Sequence, residues 1–477
     1  MTGDQATPSL PLPEREAVLE HAAALILETW RSFDSARADQ PLPGERQLAL
    51  LAEPLPAGPG DGAAALDAAA EVLDVSLTQA RPRMFGWIGG SGLEIGVLGD
   101  ALMASHDVNV AISSGAATPL ERQTVRWTGD FVGFGAGSEG LMAAGGTISN
   151  LTALTAARER ALPGIRYEGA SARRMAIYCS AEAHYSVRRA AEVLGIGGRN
   201  VRSIALGSKR RMDAAACAAA IDADRREGIV PVAVVATAGT TLTGAVDDLQ
   251  ALAEVCGPRE VWLHVDGAYG LPAAATRLAG HLFAGLDRVD SATVDAHKWL
   301  YVPKACSVLL VRDRDALEAA FTHDESYIPH TDREDTHPVD RTLEYSRPLS
   351  ALKLWLAFRV HGADAIRAAI ERNLRQAQLL ASLVHEDPLF ELLVEPQLSA
   401  VCFRHLPPAG MAAVVHNAAL AAAITADGRI LLAPATVDGV PCLRACFVNH
   451  RTTEDDVRSI LEVVRELAAR IAAAASS

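Results

Sequence analysis

The sequence has few of the features that mark secreted or membrane-embedded proteins. Its seven cysteines are scattered, odd in number and never spaced as CxxC, which argues against a disulfide framework and favours a reducing cytoplasm. No apolar run approaches the roughly 18 residues of a membrane span. The segment that begins MTGDQATPSLPLPE lacks a charged start and an apolar core, so we expect no signal peptide.

Positive charge is also scarce. The chain has 44 Lys+Arg against 58 Asp+Glu, so its formal net charge is −14. No basic run is interleaved with aromatic residues, which make up only 5% of the chain. This balance argues against binding to nucleic acid or to an anionic membrane surface.

The sequence does contain a long series of alternating strand and helix patterns. Short apolar runs at 175–178, 201–206, 229–236, 261–265 and 291–294 alternate with helical patterns and polar turns. Such alternation predicts a mainly parallel sheet with helices on both faces. At 477 residues the chain is long enough for two or three domains, and we predict an α/β fold.

Two charged residues follow consecutive strands of this predicted sheet. Asp266 ends the run VWLHVD, and Lys298 follows the next strand in DAHKW. Open α/β sheets bind ligands at the carboxyl ends of their strands. Apolar neighbours should desolvate Lys298, and we expect burial to lower its pKa and leave a nucleophilic amine. A lone lysine after a strand is usually a surface residue, but a lysine one βα unit after an acid is the layout that pyridoxal phosphate needs.

Two glycine-rich stretches precede this pair. Residues 135–140, GAGSEG, fit the dinucleotide-binding pattern GxGxxG, but they follow a helical pattern instead of a strand, so we predict a surface turn. Residues 145–150, GGTISN, run directly into a strong helical pattern. Backbone N–H groups and the helix dipole can hold an anion there, so this second stretch is the candidate phosphate site.

Several motifs together resemble the group II pyridoxal-phosphate decarboxylases, which include the aromatic amino acid, glutamate, cysteine sulfinate and histidine enzymes. The motifs are GGTISN, AHYS, ATAGTT, HVDGAYG and DAHKWL, and the resemblance extends from about residue 79 to about residue 453. It implies the fold of the type I pyridoxal enzymes. Arg81 stands where the family usually has histidine, and Pro348 where it often has arginine. The family has Asn or Asp at the position of Asp295, to which we assign no role.

The resemblance implies roles for individual residues. Lys298 would carry the cofactor, Asp266 would keep its ring nitrogen protonated, and Tyr327 would deliver a proton to the substrate Cα. His184 and Ala268 would lie against the two ring faces. The other residues expected near the ring or phosphate are Gly145, Gly146, Thr147, Thr241, Ser291 and His297. Phe85 and Trp87 belong to the segment that lines the side-chain pocket of the family.

Three parts of the chain follow from these elements. We predict an N-terminal helical arm at 1–78, a large cofactor domain at 79–350 and a small α+β domain at 351–477. The helices of the arm, at 14–33 and 61–75, carry apolar faces and are separated by a loose proline-rich linker. They must pack on the main domain or on another subunit, and the resemblance implies a second subunit, so we expect a homodimer.

The expected function is decarboxylation of an L-amino acid to its amine and carbon dioxide. Phe85 and Trp87 favour an aromatic or apolar substrate, whereas GGTISN resembles the loop of the glutamate and cysteine sulfinate enzymes and favours an acidic one. Aldehyde formation with oxygen is an alternative outcome at the same site. A dinucleotide-binding or non-enzymatic protein built around GAGSEG is the alternative of another class. We expect no metal ion, nucleic acid or membrane partner.

Overall fold

The computed structural model describes residues 9–33, 42–170, 173–323, 337–408 and 410–476. They form a seven-stranded sheet flanked by helices, a four-stranded antiparallel sheet with its own helices, and helices near the N-terminus. The α/β fold predicted from the alternating pattern is therefore confirmed. None of the described helices combines the length and the apolar character that crossing a membrane requires.

The secondary structure elements are numbered in chain order. The helices are α1 (Leu12–Ser32), α2 (Glu45–Leu51), α3 (Gly62–Asp74), α4 (Glu94–His106), α5 (Ala117–Val132), α6 (Gly146–Ala161), α7 (Ile165–Glu168), α8 (Tyr185–Val193), α9 (Ala214–Arg226), α10 (Leu249–Cys256), α11 (Ala296–Trp299), α12 (Asp315–Phe321), α13 (Ala351–Glu386), α14 (Ala413–Asp427) and α15 (Glu454–Ser476). The strands are β1 (Glu139–Ala143), β2 (Met175–Ser180), β3 (Val201–Ile204), β4 (Val230–Thr237), β5 (Trp262–Asp266), β6 (Ser291–Val294), β7 (Ser307–Val311), β8 (Phe390–Val394), β9 (Ala400–His405), β10 (Ala433–Val437) and β11 (Val440–Cys446).

The large sheet has the strand order β1-β7-β6-β5-β4-β2-β3. Its central pairs are parallel, and β7 runs antiparallel to both β6 and β1. The register aligns Thr237, Asp266 and Thr293 on neighbouring strands, so β4, β5 and β6 reach the same edge together. Residues that directly follow these three strands therefore converge on one place.

Helices bury both faces of this sheet, which explains why its central strands are apolar throughout. One face packs against α6, α8 and α12, in a core that includes Leu154, Trp262 and Leu317. The other face packs against α5, α9, α10 and the first part of α13, around residues such as Leu263 and Trp299. The N-terminus of α6 lies at the edge where β5 and β6 end, since a Cβ on Gly146 would be 2.9 Å from Oδ2 of Asp295, the residue after β6.

The smaller sheet has the order β10-β11-β9-β8 and is antiparallel throughout. Helices α14 and α15 pack on it together with the second part of α13. Gly362, with φ 76° and ψ 159°, interrupts the helical geometry of α13. Past this break, α13 residues up to Leu374 still belong to the core of the large sheet, and those from Ala377 onward belong to the core of the small sheet.

The stretch GAGSEG ends in a strand. Residues 135–138 form the turn that the sequence predicted, but Glu139 and Gly140 already belong to β1. A Cβ on Gly140 would lie 1.9 Å from the carbonyl oxygen of Leu309 on β7. This glycine therefore permits a close strand contact and does not open a dinucleotide-binding helix.

The N-terminal helices form a separate layer. Helices α1 and α3 pack against each other, and Asp61 Oδ1 accepts a 2.8 Å hydrogen bond from the Ala64 N–H, which confirms Asp61 as the cap of α3. Helix α2 lies in the stretch predicted to be a loose linker, so that part of the prediction was wrong. Neither α1 nor α3 buries any of its residues completely.

Candidate active site

A cavity of about 400 Å³ opens where β4, β5 and β6 end and α6 begins. It brings together Asp266, Lys298 and the glycine turn that the sequence singled out. The complete lining is Ala144, Gly145, Gly146, Thr147, Ile148, Asn150, His184, Ser186, Thr237, Gly239, Thr241, Asp266, Ala268, Tyr269, Asp295, His297, Lys298, Lys304 and Ala305. These residues converge because β4, β5 and β6 are parallel, so the residues at and just past their carboxyl ends meet at one edge of the sheet.

Lys298 lies on the short helix α11, next to the end of β6. Its Nζ atom is 2.9 Å from Oδ2 of Asp295, a carboxylate whose side chain is only 3% exposed. Burial alone would raise the pKa of Asp295, but the charges on Lys298 and His297 outweigh it and hold this pKa below the ordinary value. Asp295 is therefore a buried anion at the centre of the site.

The same ion pair reverses the pKa shift predicted for Lys298. Burial alone would lower the pKa of its ammonium group, as the sequence suggested, but the charge and hydrogen bond of Asp295, together with Asp266, raise it above the ordinary value. The expectation of an amine activated by desolvation was thus wrong for this arrangement. Lys298 is held as an ammonium ion, and it must lose a proton before its nitrogen can attack a carbonyl carbon.

A hydrogen-bond network fixes the carboxylate of Asp266. The amide of Asn150, the last residue of the GGTISN motif, donates 3.0 Å hydrogen bonds to Asp266 Oδ2 and to Ser186 Oγ. The other carboxylate oxygen accepts from the Ala268 N–H at 3.3 Å. Asn150 is 1% exposed and sits on α6, so the glycine turn and the acid are joined through one buried side chain.

The network continues behind Asn150 into the sheet. His264 Nε2 lies 3.0 Å from Asn150 Oδ1, and His264 Nδ1 lies 2.8 Å from Ser291 Oγ. Burial lowers the pKa of His264 to about 4, so its imidazole is neutral, with one nitrogen donating and the other accepting. Trp262 Nε1 donates to Ser291 Oγ at 2.8 Å. Donors and acceptors therefore match along the whole path from Trp262 to Asp266.

Ser291 does not reach the cavity. It begins β6, whereas the cavity lies past the other end of that strand, and its hydroxyl is engaged by His264 and Trp262. Its expected contact with the phosphate was therefore wrong. Ser291 instead helps to fix Asp266 indirectly, through the hydrogen bonds that join His264 and Asn150 to that carboxylate.

His184 lies in the cavity wall at the start of α8. Its Nδ1 accepts the backbone N–H of Ser186 at 3.3 Å and lies 2.9 Å from the Ser186 hydroxyl, so it caps the helix. Burial lowers the pKa of His184 below its ordinary value, against an opposing effect of Asp266. With Nδ1 accepting, a neutral His184 carries its proton on Nε2.

The glycine turn lies close to the ion pair. A Cβ on Gly146 would lie 2.9 Å from Asp295 Oδ2 and 3.1 Å from Ala268 Cβ, so the backbone itself forms this part of the wall. Helix α6 begins at Gly146 and continues for 16 residues, and its first amides have no partners within the helix. His297 Nδ1 lies 2.8 Å from the carbonyl oxygen of Cys306, which holds the imidazole against the same wall.

Two predicted substrate residues lie outside this cavity. Phe85 is 1% exposed and packs 5.4 Å from Phe447, ring centroid to centroid, in the core of the smaller sheet. Trp87 is 54% exposed and does not line the cavity. The predicted substrate contact of Phe85 was wrong, because its backbone joins the small sheet by hydrogen bonds to Leu431 and Cys446. Tyr327 lies outside the described residues.

Several residues of the site escaped sequence reasoning. Asn150 was visible as the end of GGTISN, and Asp295 as the residue before AHK, but neither was given a role. Ser186 and Thr237 occur inside motifs that had been noticed. No sequence motif pointed to Lys304, because its position in the cavity wall depends on the path of the chain between α11 and β7.

Comparison with known proteins identifies the family of this chain. A family model described as the pyridoxal-dependent decarboxylase conserved domain matches residues 46–406. The chain is 32% identical over 398 residues to an aromatic-L-amino-acid decarboxylase of Bacillus atrophaeus, covering 82% of each protein. It is 32% identical over 349 residues to an acidic amino acid decarboxylase of Mus musculus, covering 71% of this chain and 62% of the relative.

The fold is also shared with solved structures. Oryza sativa TDC, solved with PLP and tryptamine, superposes with a TM-score of 0.91 at 24% sequence identity. The match covers 98% of this chain and 100% of the other. At that identity the likeness establishes the fold alone.

Proposed function

The chain belongs to the family of pyridoxal-dependent decarboxylases, and we propose that it converts an L-amino acid into the corresponding amine and carbon dioxide in the cavity around Lys298. The observation that carries this proposal is the convergence of Lys298, Asp266 and a glycine turn at a helix N-terminus on one cavity. A lysine, an acid and an anion site are the three groups that pyridoxal phosphate requires of a protein.

The residues present fit this cofactor. The turn at Gly146 leaves no space for a side chain, so its backbone can approach a bound group closely. Helix α6 directs its positive end at the same place. Asp295 Oδ1 is buried and has no hydrogen-bond partner among the described residues, so a donor on a bound group can satisfy it.

Each residue then has a distinct task. When bound, pyridoxal phosphate supplies a ring that accepts the electron pair left by the departing carboxyl group. Lys298 would hold the cofactor and yield it to the substrate amine, while Asp266, fixed by Asn150, would hold the proton on the ring nitrogen.

The remaining contacts would orient the cofactor. His184 and Ala268 would pack against the ring, with Thr241 near it. The phosphate would lie at the turn formed by Gly145, Gly146 and Thr147, beside His297.

A screen for released carbon dioxide tests the proposed reaction. Purified holoenzyme is incubated with each of the common L-amino acids, and carbon dioxide and amine are measured together. We expect at least one substrate to give both products in equal amounts. Treatment with borohydride should fix the cofactor covalently at Lys298, detected by peptide mass. Absence of carbon dioxide with every amino acid would reject the proposal.

Tyr327 decides which product forms. A tyrosine can protonate the substrate Cα after carbon dioxide leaves, whereas phenylalanine cannot. We expect Tyr327→Phe to lose amine formation and to gain oxygen uptake with release of aldehyde and ammonia, measured with an oxygen electrode and by product analysis. Tyr345→Phe, at a half-exposed tyrosine, is the matched control and should keep amine formation. Stoichiometric oxygen uptake by the wild type, or full amine production by Tyr327→Phe, would contradict this role.

We also propose that two chains form a homodimer through the arm at 1–78. Helices α1 and α3 bury no residue of their own. Their exposed leucines include Leu12 (65% exposed), Leu19 (71%), Leu27 (47%) and Leu73 (68%). An apolar surface of this kind is typical of a protein–protein contact.

Charges on this surface should separate the subunits. The double substitution Leu19→Glu and Leu27→Glu is expected to convert the dimer to a monomer, because each glutamate must be desolvated in the contact. Light scattering after size-exclusion chromatography measures the mass. Glu20→Gln and Glu28→Gln on the same helix serve as the control and should remain dimeric. A dimer that survives the leucine substitutions would place the contact elsewhere.

A cytoplasmic location completes the proposal. All seven cysteines are free and buried. Cys402 and Cys442 lie on the adjacent strands β9 and β11 but form no disulfide. Unpaired cysteines suit a reducing compartment.

A further inference from the structure

Lys304 is a second lysine in the wall of the cavity that contains Lys298. It follows Pro303 in the segment between α11 and β7, and it also lines a cavity of about 650 Å³ next to α1 and α3. The buried ammonium group of Lys353 donates to the Lys304 carbonyl oxygen at 3.1 Å and pairs with Asp100 at 2.8 Å. The backbone of Lys304 is therefore fixed at the rim of the site.

The charge of Lys304 is not neutralised within the described chain. It makes no ion pair with a described residue, and its side chain is exposed to solvent at the rim of the cavity. Partial burial and the positive charge of Lys298 lower the pKa of Lys304, and no acid opposes them. An anion bound in the cavity would therefore find an ammonium group at the rim that no carboxylate of the described chain occupies.

We propose that Lys304 binds a carboxylate on the side chain of the substrate, and thus selects acidic amino acids for the decarboxylation proposed above, on which this inference rests. The α-carboxylate is a poor alternative, because a cation bound to it would stabilise the reactant and lose its partner as carbon dioxide leaves. A side-chain carboxylate keeps its charge throughout the reaction. The phosphate of the cofactor already has the turn at Gly146, the N-terminus of α6 and His297.

The two residues that favoured an aromatic substrate in the sequence do not line this cavity. Phe85 lies in the core of the smaller sheet, and Trp87 does not line the wall. A cationic side chain next to Lys304 would be repelled by its ammonium group. Acidic side chains are therefore the class that the described wall favours.

Matched acid and amide substrates measure this selectivity. For holoenzyme we expect kcat/KM for glutamate or aspartate to exceed that for glutamine or asparagine by about 10-fold to 100-fold, which is the effect of one charged hydrogen bond. Lys304→Met should bring the ratio close to one, mainly by raising KM for the acid. Lys304→Arg should restore much of the preference. Lys209→Met, at an exposed lysine outside the cavity, should leave the ratio unchanged.

Three results would overturn the inference. One is a wild-type enzyme that prefers leucine, phenylalanine or the amides. Another is an acid-to-amide ratio that survives Lys304→Met. The third is a parallel fall in cofactor affinity, measured by titration of the absorbance, which would assign Lys304 to the phosphate.

Binding without turnover separates this inference from the proposed reaction. Glutarate should perturb the absorbance of the wild-type holoenzyme at a concentration about 10-fold to 100-fold lower than glutaramate, its monoamide, and Lys304→Met should abolish the difference. If glutarate binds in this way but no amino acid releases carbon dioxide, the proposed reaction fails and the anion site stands. Equal binding of the two compounds to the wild type removes the anion site, whatever the reaction.

Discussion

Replacement of Lys298 by alanine is expected to abolish decarboxylation, lowering kcat/KM by at least about 10⁵-fold. Lys298 lines the cavity together with the glycine turn and Asp266, and alanine cannot form a covalent bond with the cofactor. Borohydride should then fix no cofactor on the protein, as measured by intact mass. Retained turnover at even a small fraction of the wild-type rate would show that another group performs this step.

The loss of Lys298 also affects stability, and a control must separate the two effects. Asp295 is 3% exposed and pairs with Lys298, so Lys298→Ala leaves a buried carboxylate without its partner. Removing one member of a buried ion pair lowers the free energy of unfolding by about 3 kcal/mol. The double variant Lys298→Ala and Asp295→Asn removes both charges and should recover much of this loss, measured by urea unfolding, while remaining inactive.

Topology explains why the sequence predicted the centre of the site. Asp266 and Lys298 each follow a recognisable apolar strand, and neighbouring parallel strands deliver the residues after them to the same edge. The glycine turn was recognisable because a strong helical pattern follows it directly. These inferences needed only the direction of the strands and the position where a helix begins, and both can be read from the pattern of apolar and polar residues.

Contacts between distant segments explain the failures. Phe85 precedes the large sheet in the chain, yet it packs with Phe447 some 360 residues later, and no local pattern reveals such a partner. The pKa of Lys298 depends on Asp295, three residues earlier on the same turn, and this spacing could have been used. Ser291 begins a strand whose other end carries the site, so strand direction alone argued against its phosphate contact.

Replacement of Asp266 by asparagine is expected to lower kcat by about 10²-fold to 10³-fold, the size of effect seen when a fixed electrostatic partner of the reacting group is removed. Asparagine has nearly the same volume, but it carries no negative charge to hold the proton on the ring nitrogen. Because the electron pair left by carbon dioxide must enter the ring, the reaction slows at that step, while the lysine and the phosphate site keep the cofactor bound.

The network behind Asp266 provides the matched control. Ser291→Ala removes one hydroxyl that supports His264 while the charge of Asp266 stays in place, so kcat should fall by no more than about 10-fold. Rapid-quench measurement of carbon dioxide release compares the variants, and cofactor absorbance shows that each remains loaded. An Asp266→Asn variant with kcat like that of Ser291→Ala would mean that the carboxylate only positions the cofactor. A much larger loss for Asp266→Asn would mean that the negative charge of Asp266 acts on the ring nitrogen. Both variants leave Asn150 and the glycine turn of α6 unchanged, so these groups cannot explain the difference.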